Sequence, residues 1–275
     1  MTFLHNNIII GVVKSRRLGN SFGINILPEF QKICNFNCIY CECGDNFQHF
    51  EVSTKDKLSF PSIEEISKQT EIALLNLKIK LIKIDSITFS GNGEPTLHPN
   101  FSEIIDEIIR LRNEYYPDTK ISVLTNATML FDEKIILALK KIENPILKVD
   151  AVYQQIFFEI NCSFENLKLL SFYKYNLNID FILDNIKKNF EHPIIQTMFL
   201  KTDKNLSLGF FIDNTSDEHI EKYIETMQNL SPKLIMIYSI DRDTAVKKLK
   251  KIELPKLQEI GNKLNKVGIE TMITG

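Results

Sequence analysis

The sequence predicts an α/β fold in which the strands run parallel and alternate with helices. After about residue 20, short apolar runs rich in β-branched residues alternate with longer amphipathic stretches, as in a parallel sheet covered by helices. Polar and glycine-rich segments follow the strand-like runs, where such folds collect their chemistry. At 275 residues and 44% hydrophobic composition, a single domain is the simplest interpretation.

The strands are predicted from their β-branched content and from the turn residues that end them. The stretch "IDSITFS" (84–90), for example, runs into the glycines of "GNG". The predicted strands cover 21–27, 84–90, 120–126, 145–151, 193–200 and 233–240. About six strand–helix units result, which fits either an open doubly wound sheet or a full or partial (β/α) barrel.

Capping residues and helical periodicity predict the helices. Ser62 and Glu65 have the spacing of a capping box, so a helix begins there. Asn100 and Glu103 repeat that spacing, and the apolar residues of 104–111 recur every three or four positions behind them. The remaining predicted helices cover 131–142, 152–173, 217–230 and 254–267.

Charge and hydropathy exclude several classes of protein. The formal net charge is −2, so no global basic field indicates nucleic-acid binding. No apolar run approaches the roughly 20 residues of a membrane span. In "MTFLHNNIIIGVVKSRR" the basic residues follow the apolar run, the reverse of a signal peptide. We therefore expect a cytoplasmic protein without a membrane segment.

Four of the five cysteines lie in "ICNFNCIYCECG", residues 33–44, which we call the cysteine loop. Cys34, Cys38 and Cys41 have the spacing Cys-x3-Cys-x2-Cys, and Cys43 follows. Three thiolates can bind three corners of an iron–sulfur cube and leave the fourth iron open. Zinc is the alternative, but Cys41 and Cys43 would then have to reach one ion across a single residue. The spacing favours iron–sulfur, with Cys43 outside the ligand set.

Two motifs together resemble the radical S-adenosylmethionine (SAM) superfamily. The first is the cysteine spacing with Tyr40 before the last cysteine. The second is "FSGNGEPTLHP" (89–99), which follows the next strand, where that superfamily carries a Gly-Gly-Glu-Pro type motif. A similarity from about residue 11 to 250 further resembles the bacterial and archaeal Fe–S oxidoreductases related to wyosine tRNA-modifying (4-demethylwyosine synthase-like) enzymes. It rests on "SRRLGNSFGINIL", "CNFNCIYCECG", "SGNGEPTLHPNF", "VLTNAT", "LKVDA" and "IYSIDRDTA".

The resemblance implies a fold and a chemistry. The fold would be a partial (β/α)6 barrel of parallel strands, with one radical SAM domain over 1–275: an N-terminal extension (1–20), a barrel core (21–245) and a C-terminal helical segment (246–275). A [4Fe–4S] cluster on Cys34, Cys38 and Cys41 would cleave SAM reductively to a 5′-deoxyadenosyl radical, which abstracts hydrogen from substrate. A ferredoxin- or flavodoxin-like partner would supply the electron.

The resemblance also implies which residues bind SAM. These are Gly91, Asn92, Gly93, Glu94, Thr125, Asn126 and Asp150. Gln196 joins them for a different reason: a polar residue in an apolar strand must find a partner, and we expect it to face the barrel cavity. Asn92 stands where the family has a glycine, so we expect its side chain to alter the local contact. Each of these residues also has a structural alternative that needs no ligand. Residues 91–94 would then form a β–α turn, and residues 125–126 a helix-capping turn. Asp150 would be a cap or one half of an ion pair, and Gln196 a core amide whose hydrogen bonds are satisfied within the protein.

Arg16, Arg17 and Arg242 are candidates for binding an anionic substrate. They fall in segments that match the subgroup, and arginine suits bidentate binding of carboxylate or phosphate. The alternative is surface pairing with Asp241, Asp243 or other acidic residues.

The substrate remains open between a tRNA or RNA base and a small anionic metabolite, with a peptide or a protein glycyl site as further alternatives. The sequence has neither the additional upstream cysteines nor the flavodoxin domain found among the tRNA enzymes. The competing class is a non-enzymatic iron–sulfur electron-transfer or zinc-binding protein, which requires four protein ligands.

Overall fold

The computed structural model describes residues 3–44, 59–162, 178–202, 211–247 and 249–275. The strands are β1 (Ile9–Ser15), β2 (Gly19–Ile24), β3 (Ser86–Phe89), β4 (Lys120–Thr125), β5 (Asn144–Lys148), β6 (Ile194–Met198), β7 (Leu200–Thr202), β8 (Leu234–Tyr238), β9 (Leu249–Lys251) and β10 (Thr271–Thr274). The helices are α1 (Ile63–Ile79), α2 (Phe101–Tyr115), α3 (Glu133–Lys140), α4 (Gln154–Phe157), α5 (Ile179–Asn189), α6 (Asp217–Leu230) and α7 (Leu254–Lys266).

Eight of these strands form one curled sheet, a half-barrel, in the order β1-β2-β3-β4-β5-β6-β8-β10. From β2 to β10 every neighbouring pair is parallel, and β1 pairs antiparallel with β2 along the edge. The short strands β7 and β9 form a separate antiparallel pair. The predicted α/β class with a partial barrel of parallel strands is therefore confirmed.

The six predicted strands are all present, but the sheet holds two more. β1 lies in the stretch taken as an N-terminal extension, and β10 lies in the stretch taken as helical. Both are edge strands whose side chains are half-buried or exposed. The apolar signal that marks buried strands is therefore weak in both, and the sequence did not predict them.

The helices cover the outer face of the sheet with apolar stripes. In α2, Ile104, Ile105, Ile108 and Leu111 are fully buried, each worth about 1.5–3 kcal/mol. Within the described ranges, no helix combines the length and the apolar character that a bilayer crossing requires.

One predicted capping box is confirmed and the other is wrong. The hydroxyl of Ser62 accepts from the backbone of Glu65, whose carboxylate accepts from the Ser62 N–H. Asn100 begins α2 without any side-chain cap. Its ψ of 32° is far from the extended conformation that aims a capping side chain at the first turn. The backbone N–H of Asn100 donates instead to Nδ1 of His98, at 3.0 Å.

The predicted helix over 152–173 is confirmed only where the structure describes it. α4 is a single turn and continues as a π-helical turn from Phe158 to Cys162, while 163–173 lies outside the described residues. Such π turns are frequent at functional sites, and this one packs against the cysteine loop.

Candidate functional site

The cysteine loop follows β2 and is hydrogen-bonded to the segment after β3. Ile33 N donates to Asn92 O (2.8 Å), and Glu94 N donates to Ile33 O (2.8 Å). We call residues 91–95 the glycine segment. A Cβ atom on Gly93, whose φ is +138°, would lie 1.8 Å from Ile33 O. The two predicted motifs therefore meet in direct backbone contact, and only glycine permits that approach.

The other side of the cysteine loop is bonded to the π turn. Asn37 N donates to Asn161 O (2.7 Å), and Ile39 N donates to Ile160 O (2.9 Å). Val246 N donates back to Ile39 O (2.9 Å). The loop is thus held from both sides by segments at the carboxyl ends of β3, β5 and β8.

Asp150 anchors the loop through Tyr40, the aromatic residue of the cysteine motif. The Tyr40 hydroxyl and Asn161 Nδ2 (2.8 Å) donate to Asp150 Oδ2. Met198 N (2.9 Å) and the Lys148 ammonium (3.3 Å) approach Oδ1. A carboxylate has about four acceptor positions, and these four donors occupy them. The predicted contact of Asp150 with SAM or substrate stays a prediction, while its side chain is placed as an anchor.

Glu94 links the glycine segment to the end of β4. Its Oε1 accepts from Thr96 Oγ1 (2.6 Å) and Thr125 Oγ1 (2.6 Å), and Oε2 accepts from Asn126 N (2.7 Å). Burial raises the pKa of Glu94, and the hydrogen bonds from Thr125, Thr96 and Asn126 oppose that rise. Glu94 is only 3% exposed, so it is not a solvated turn carboxylate.

Asn126 connects β4 to the first cysteine. Its Nδ2 donates to Asn35 Oδ1 (2.7 Å) and lies 3.9 Å from Cys34 Sγ. Ala127, which follows, has φ +62°, an uncommon conformation for a residue with a side chain, of the kind that clusters at functional sites. Helix α3 begins only at Glu133, so Asn126 does not cap it.

The Asn92 side chain is buried and fully engaged with backbone. Its Oδ1 accepts from His5 N (2.7 Å), and its Nδ2 lies within 2.9 Å of the carbonyl oxygens of His5, Pro28 and Glu29. These contacts occupy the polar atoms of the side chain, and its expected effect on a ligand contact stays a prediction. What remains available for a ligand is the main chain of the glycine segment.

Lys32 lies among the thiols, and the sequence analysis did not predict it. It is 5% exposed, and its ammonium donates to Gly44 O at 2.7 Å. Burial acts to lower the pKa of Lys32, but Cys41, Cys34 and Cys38 raise it, and the net shift is upward. The sequence shows a lysine two residues before the first cysteine, but it does not show that this lysine is buried beside all three thiols.

The thiols differ in their surroundings. Burial raises the pKa of Cys34 and raises that of Cys38 to about 11. A hydrogen bond from Cys43 lowers the pKa of Cys41 to about 5, and the same contact raises the pKa of Cys43. Cys43 Sγ also lies 3.3 Å from Gly91 O. The fifth cysteine, Cys162, is a buried core residue.

Gln196 and Lys148 share the inner face of the half-barrel. Register places Lys148, Gln196 and Met236 side by side on β5, β6 and β8. Gln196 is 5% exposed, and among the described residues its side-chain amide makes no hydrogen bond. The amide oxygen and nitrogen are not fully enclosed by protein, so this position suits a ligand inside the barrel better than a satisfied core amide.

The three candidate arginines separate into two kinds. Arg16 pairs with Asp241 (3.0 Å), and Arg242 pairs with Glu42 (2.9 Å). Both are exposed surface pairs, the alternative foreseen for them. Arg17 instead lies over the Tyr238 ring, 4.2 Å from its centroid.

The fold and this arrangement of thiols and strand ends define a radical SAM domain, and residues 29–227 match the radical SAM superfamily. The chain belongs to that superfamily. Among curated proteins it is 31% identical over 229 residues to a UPF0026 protein of Methanocaldococcus jannaschii, covering 82% of this chain and 61% of that protein. It is 32% identical over 156 residues to a UPF0026 protein of Helicobacter pylori, covering 56% of this chain and 46% of that one.

A protein of Brachyspira hyodysenteriae named GTPase Obg is also similar, 28% identical over 246 residues. The match covers 88% of this chain but 31% of that protein. The Gly-x4-Gly-Lys-Ser/Thr loop that binds nucleotide phosphates does not occur in this sequence. That name therefore gives no activity to this chain, which spans about a third to three fifths of these relatives.

Solved structures share the fold at low sequence identity. A radical SAM methyltransferase from Sphaerobacter thermophilus aligns with a TM-score of 0.62 at 13% identity, over 92% of this chain and 65% of that one. Streptococcus suis SuiB bound to S-adenosylmethionine aligns with a TM-score of 0.59 at 16% identity, over 92% and 50%.

Proposed function

We propose that the chain is a radical SAM enzyme that holds one [4Fe–4S] cluster on Cys34, Cys38 and Cys41 and binds SAM beside it. The observation that carries this proposal is the backbone contact between the cysteine loop and the glycine segment at Gly93. When bound, such a cluster passes an electron to SAM, whose reductive cleavage gives a 5′-deoxyadenosyl radical that takes hydrogen from the substrate.

The donor set fits such a cluster. None of the five cysteines is in a disulfide, and thiolates are the ligands that iron–sulfur clusters use. Phe36 N lies 3.4 Å from Cys34 Sγ, and Asn161 Nδ2 lies 3.4 Å from Cys38 Sγ. Hydrogen bonds to sulfur are among the contacts that tune cluster potentials. The Lys32 ammonium offsets part of the charge that three thiolates bring together.

A single zinc ion fits less well. Zinc requires four ligands that converge on one point, and Cys41 and Cys43 would have to reach that point across a single residue. A cubane instead places each thiolate on a different iron. The non-enzymatic electron-transfer alternative needs a fourth protein ligand, and the nearest thiol, Cys43, lies against Gly91 O.

Three groups are the proposed SAM contacts: the main chain of Gly91, Asn92 and Gly93, Asn126 just after the end of β4, and Gln196. SuiB, which shares the fold, was solved with SAM bound, which supports SAM as a ligand of this fold. Glu94, Thr125 and Asp150 hold these elements together, so their part is to position the SAM contacts.

The substrate, partner and location are further parts of the proposal. The relation to wyosine enzymes rests on the sequence resemblance alone and leaves an RNA base as one candidate substrate, with a small anionic metabolite as the other. A ferredoxin- or flavodoxin-like reductant would deliver the electron. A reducing compartment, the cytoplasm, suits a loop of unpaired thiols.

Anaerobic reconstitution with iron and sulfide, followed by a SAM-cleavage assay with dithionite, tests the proposal. We expect about four irons per chain and release of 5′-deoxyadenosine. Cys38→Ala should lose both, whereas the matched variant Cys43→Ala should keep both. Zinc in place of iron, an EPR spectrum that SAM leaves unchanged, or cleavage retained in Cys38→Ala would each contradict it. Loss of the cluster in Cys43→Ala would make Cys43 the fourth ligand.

A further inference from the structure

Arg17 is a cation inside the half-barrel that lacks an acidic partner. It lies in the turn between β1 and β2, and its Nη1 is buried without a hydrogen bond. Among the described residues, no carboxylate pairs with its guanidinium. A buried charged donor that makes no hydrogen bond is unfavourable, so this position calls for an acceptor that arrives from outside the protein.

The turn that carries Arg17 is fixed by local contacts. Ser15 Oγ accepts from Arg17 N (3.3 Å) and Leu18 N (3.1 Å). Gly19 has φ +68°, and a Cβ atom there would lie 2.3 Å from the Asp85 carboxylate. Arg16 in the same turn reaches the far edge of the sheet, where its Nη1 donates to Gly275 O (2.8 Å). The backbone of Arg17 is therefore held in place before any ligand binds.

Aromatic rings connect Arg17 to the cysteine loop. Arg17 lies over the Tyr238 ring, and the Lys148 ammonium lies 5.0 Å from the centroid of that ring and 5.0 Å from that of Tyr40. Lys148 also donates to the Tyr238 hydroxyl at 2.5 Å. Tyr40 directly precedes Cys41. Lys148 shares its charge with Asp150, so the uncompensated positive charge of this group belongs to Arg17.

We propose that Arg17 binds the anionic group, a carboxylate or a phosphate, of a small-molecule substrate inside the barrel, with Tyr238 as the platform that holds the guanidinium. This inference rests on the proposed function, because it makes the barrel interior the place where a substrate meets SAM. The planar fork of N–H donors matches the two oxygens of either group. The Nη1 donor is buried inside the half-barrel, which favours a small molecule over the phosphate backbone of a folded tRNA.

The test titrates the full chain, loaded with cluster and saturated with SAM, with inorganic phosphate and with acetate by isothermal titration calorimetry. Saturating SAM prevents its own carboxylate from acting as the anion. We expect the wild type to bind at least one probe, and the preferred probe identifies the group as phosphate or carboxylate. Arg17→Gln should weaken that binding about tenfold or more, and Arg17→Lys should fall between, because it keeps the charge without the fork.

Arg110→Gln is the matched control, because Arg110 is an exposed arginine paired with Glu107 and Glu114. It should bind the probe as the wild type does. The inference is overturned if the wild type binds neither probe, if Arg17→Gln binds normally, or if Arg110→Gln loses as much affinity. Should Arg17→Gln not fold, as judged by circular dichroism, Arg17→Lys decides alone. If the wild-type protein takes up no iron and no SAM, the proposed function is wrong. The anion titration of that same protein still tests whether Arg17 binds the anion.

Discussion

At Gly93, the cysteine loop and the glycine segment approach more closely than a Cβ atom allows. The Ile33 carbonyl oxygen occupies the place where that atom would be, and the same oxygen accepts from Glu94 N. Any side chain at 93 must push the first cysteine away from the strand ends. The glycine is therefore required by the spacing of two motifs, in addition to its own positive φ.

Gly93→Ala should destabilise the protein by about 3 kcal/mol or more and reduce iron uptake, since it combines backbone strain with a steric clash. Gly268→Ala is the matched control, because Gly268 also has positive φ but a Cβ atom there meets nothing within 4 Å. The control should cost about 1 kcal/mol and leave iron uptake unchanged. Urea unfolding and iron analysis measure both effects, and equal losses in the two variants would contradict the clash.

At the scale of the element, α6 shows how a helix buries a polar residue at a cost. Ser216 caps it, and His219 on its buried face packs edge-on against Tyr153, with ring centroids 5.8 Å apart. Both ring nitrogens of His219 are buried, and among the described residues neither makes a hydrogen bond. Burial lowers the pKa of His219 to about 4, against a smaller opposing effect of Asp213. The helix therefore folds with the neutral imidazole.

This shift predicts a loss of stability in mild acid. Between the ordinary pKa of 6.5 and about 4, the unfolded chain binds a proton that the folded chain does not, so the unfolding free energy falls as the pH falls. The contribution is about 1–3 kcal/mol across that window. His219→Phe should flatten the dependence when urea unfolding is followed from pH 7 to pH 4.5. Tyr153→Phe, which leaves the imidazole in place, should keep it, and an unchanged slope in His219→Phe would disprove the assignment.

At the scale of the whole molecule, contacts between distant parts of the chain hold the site. The Asn92 amide joins the segment before β1 to the turn at 28–29 and to the glycine segment. Phe3 N donates to Glu42 O (3.0 Å), so the same N-terminal segment also lies against the cysteine loop. Arg16 bridges the two edges of the half-barrel through Gly275 O and Asp241.

Asn92→Ala should leave His5 N and the carbonyl groups of Pro28 and Glu29 without a partner and cost about 2–3 kcal/mol. It should also expose residues 3–8 to limited proteolysis. Asn76→Ala, at an exposed position on α1, is the control and should change stability by less than about 0.5 kcal/mol. Thermal unfolding with mass spectrometry of the first cleavage products checks both, and an N-terminal segment as resistant as in the wild type would refute this role of Asn92.

The sequence by itself determined the alternation of strands and helices and hence a parallel sheet, because periodicity and caps are local properties. The partial barrel and the pairing of the cysteine and glycine motifs were implied by the resemblance to the radical SAM superfamily. Only the tertiary structure decided which polar side chains are available to a ligand. Asp150 is occupied by Tyr40, 110 residues away, and Arg16 by Gly275 O, 259 residues away. Arg17 and Gln196 are left inside the barrel without such partners. Hydrogen-bond and ion partners are set by which strands become neighbours, and that cannot be read from local spacing.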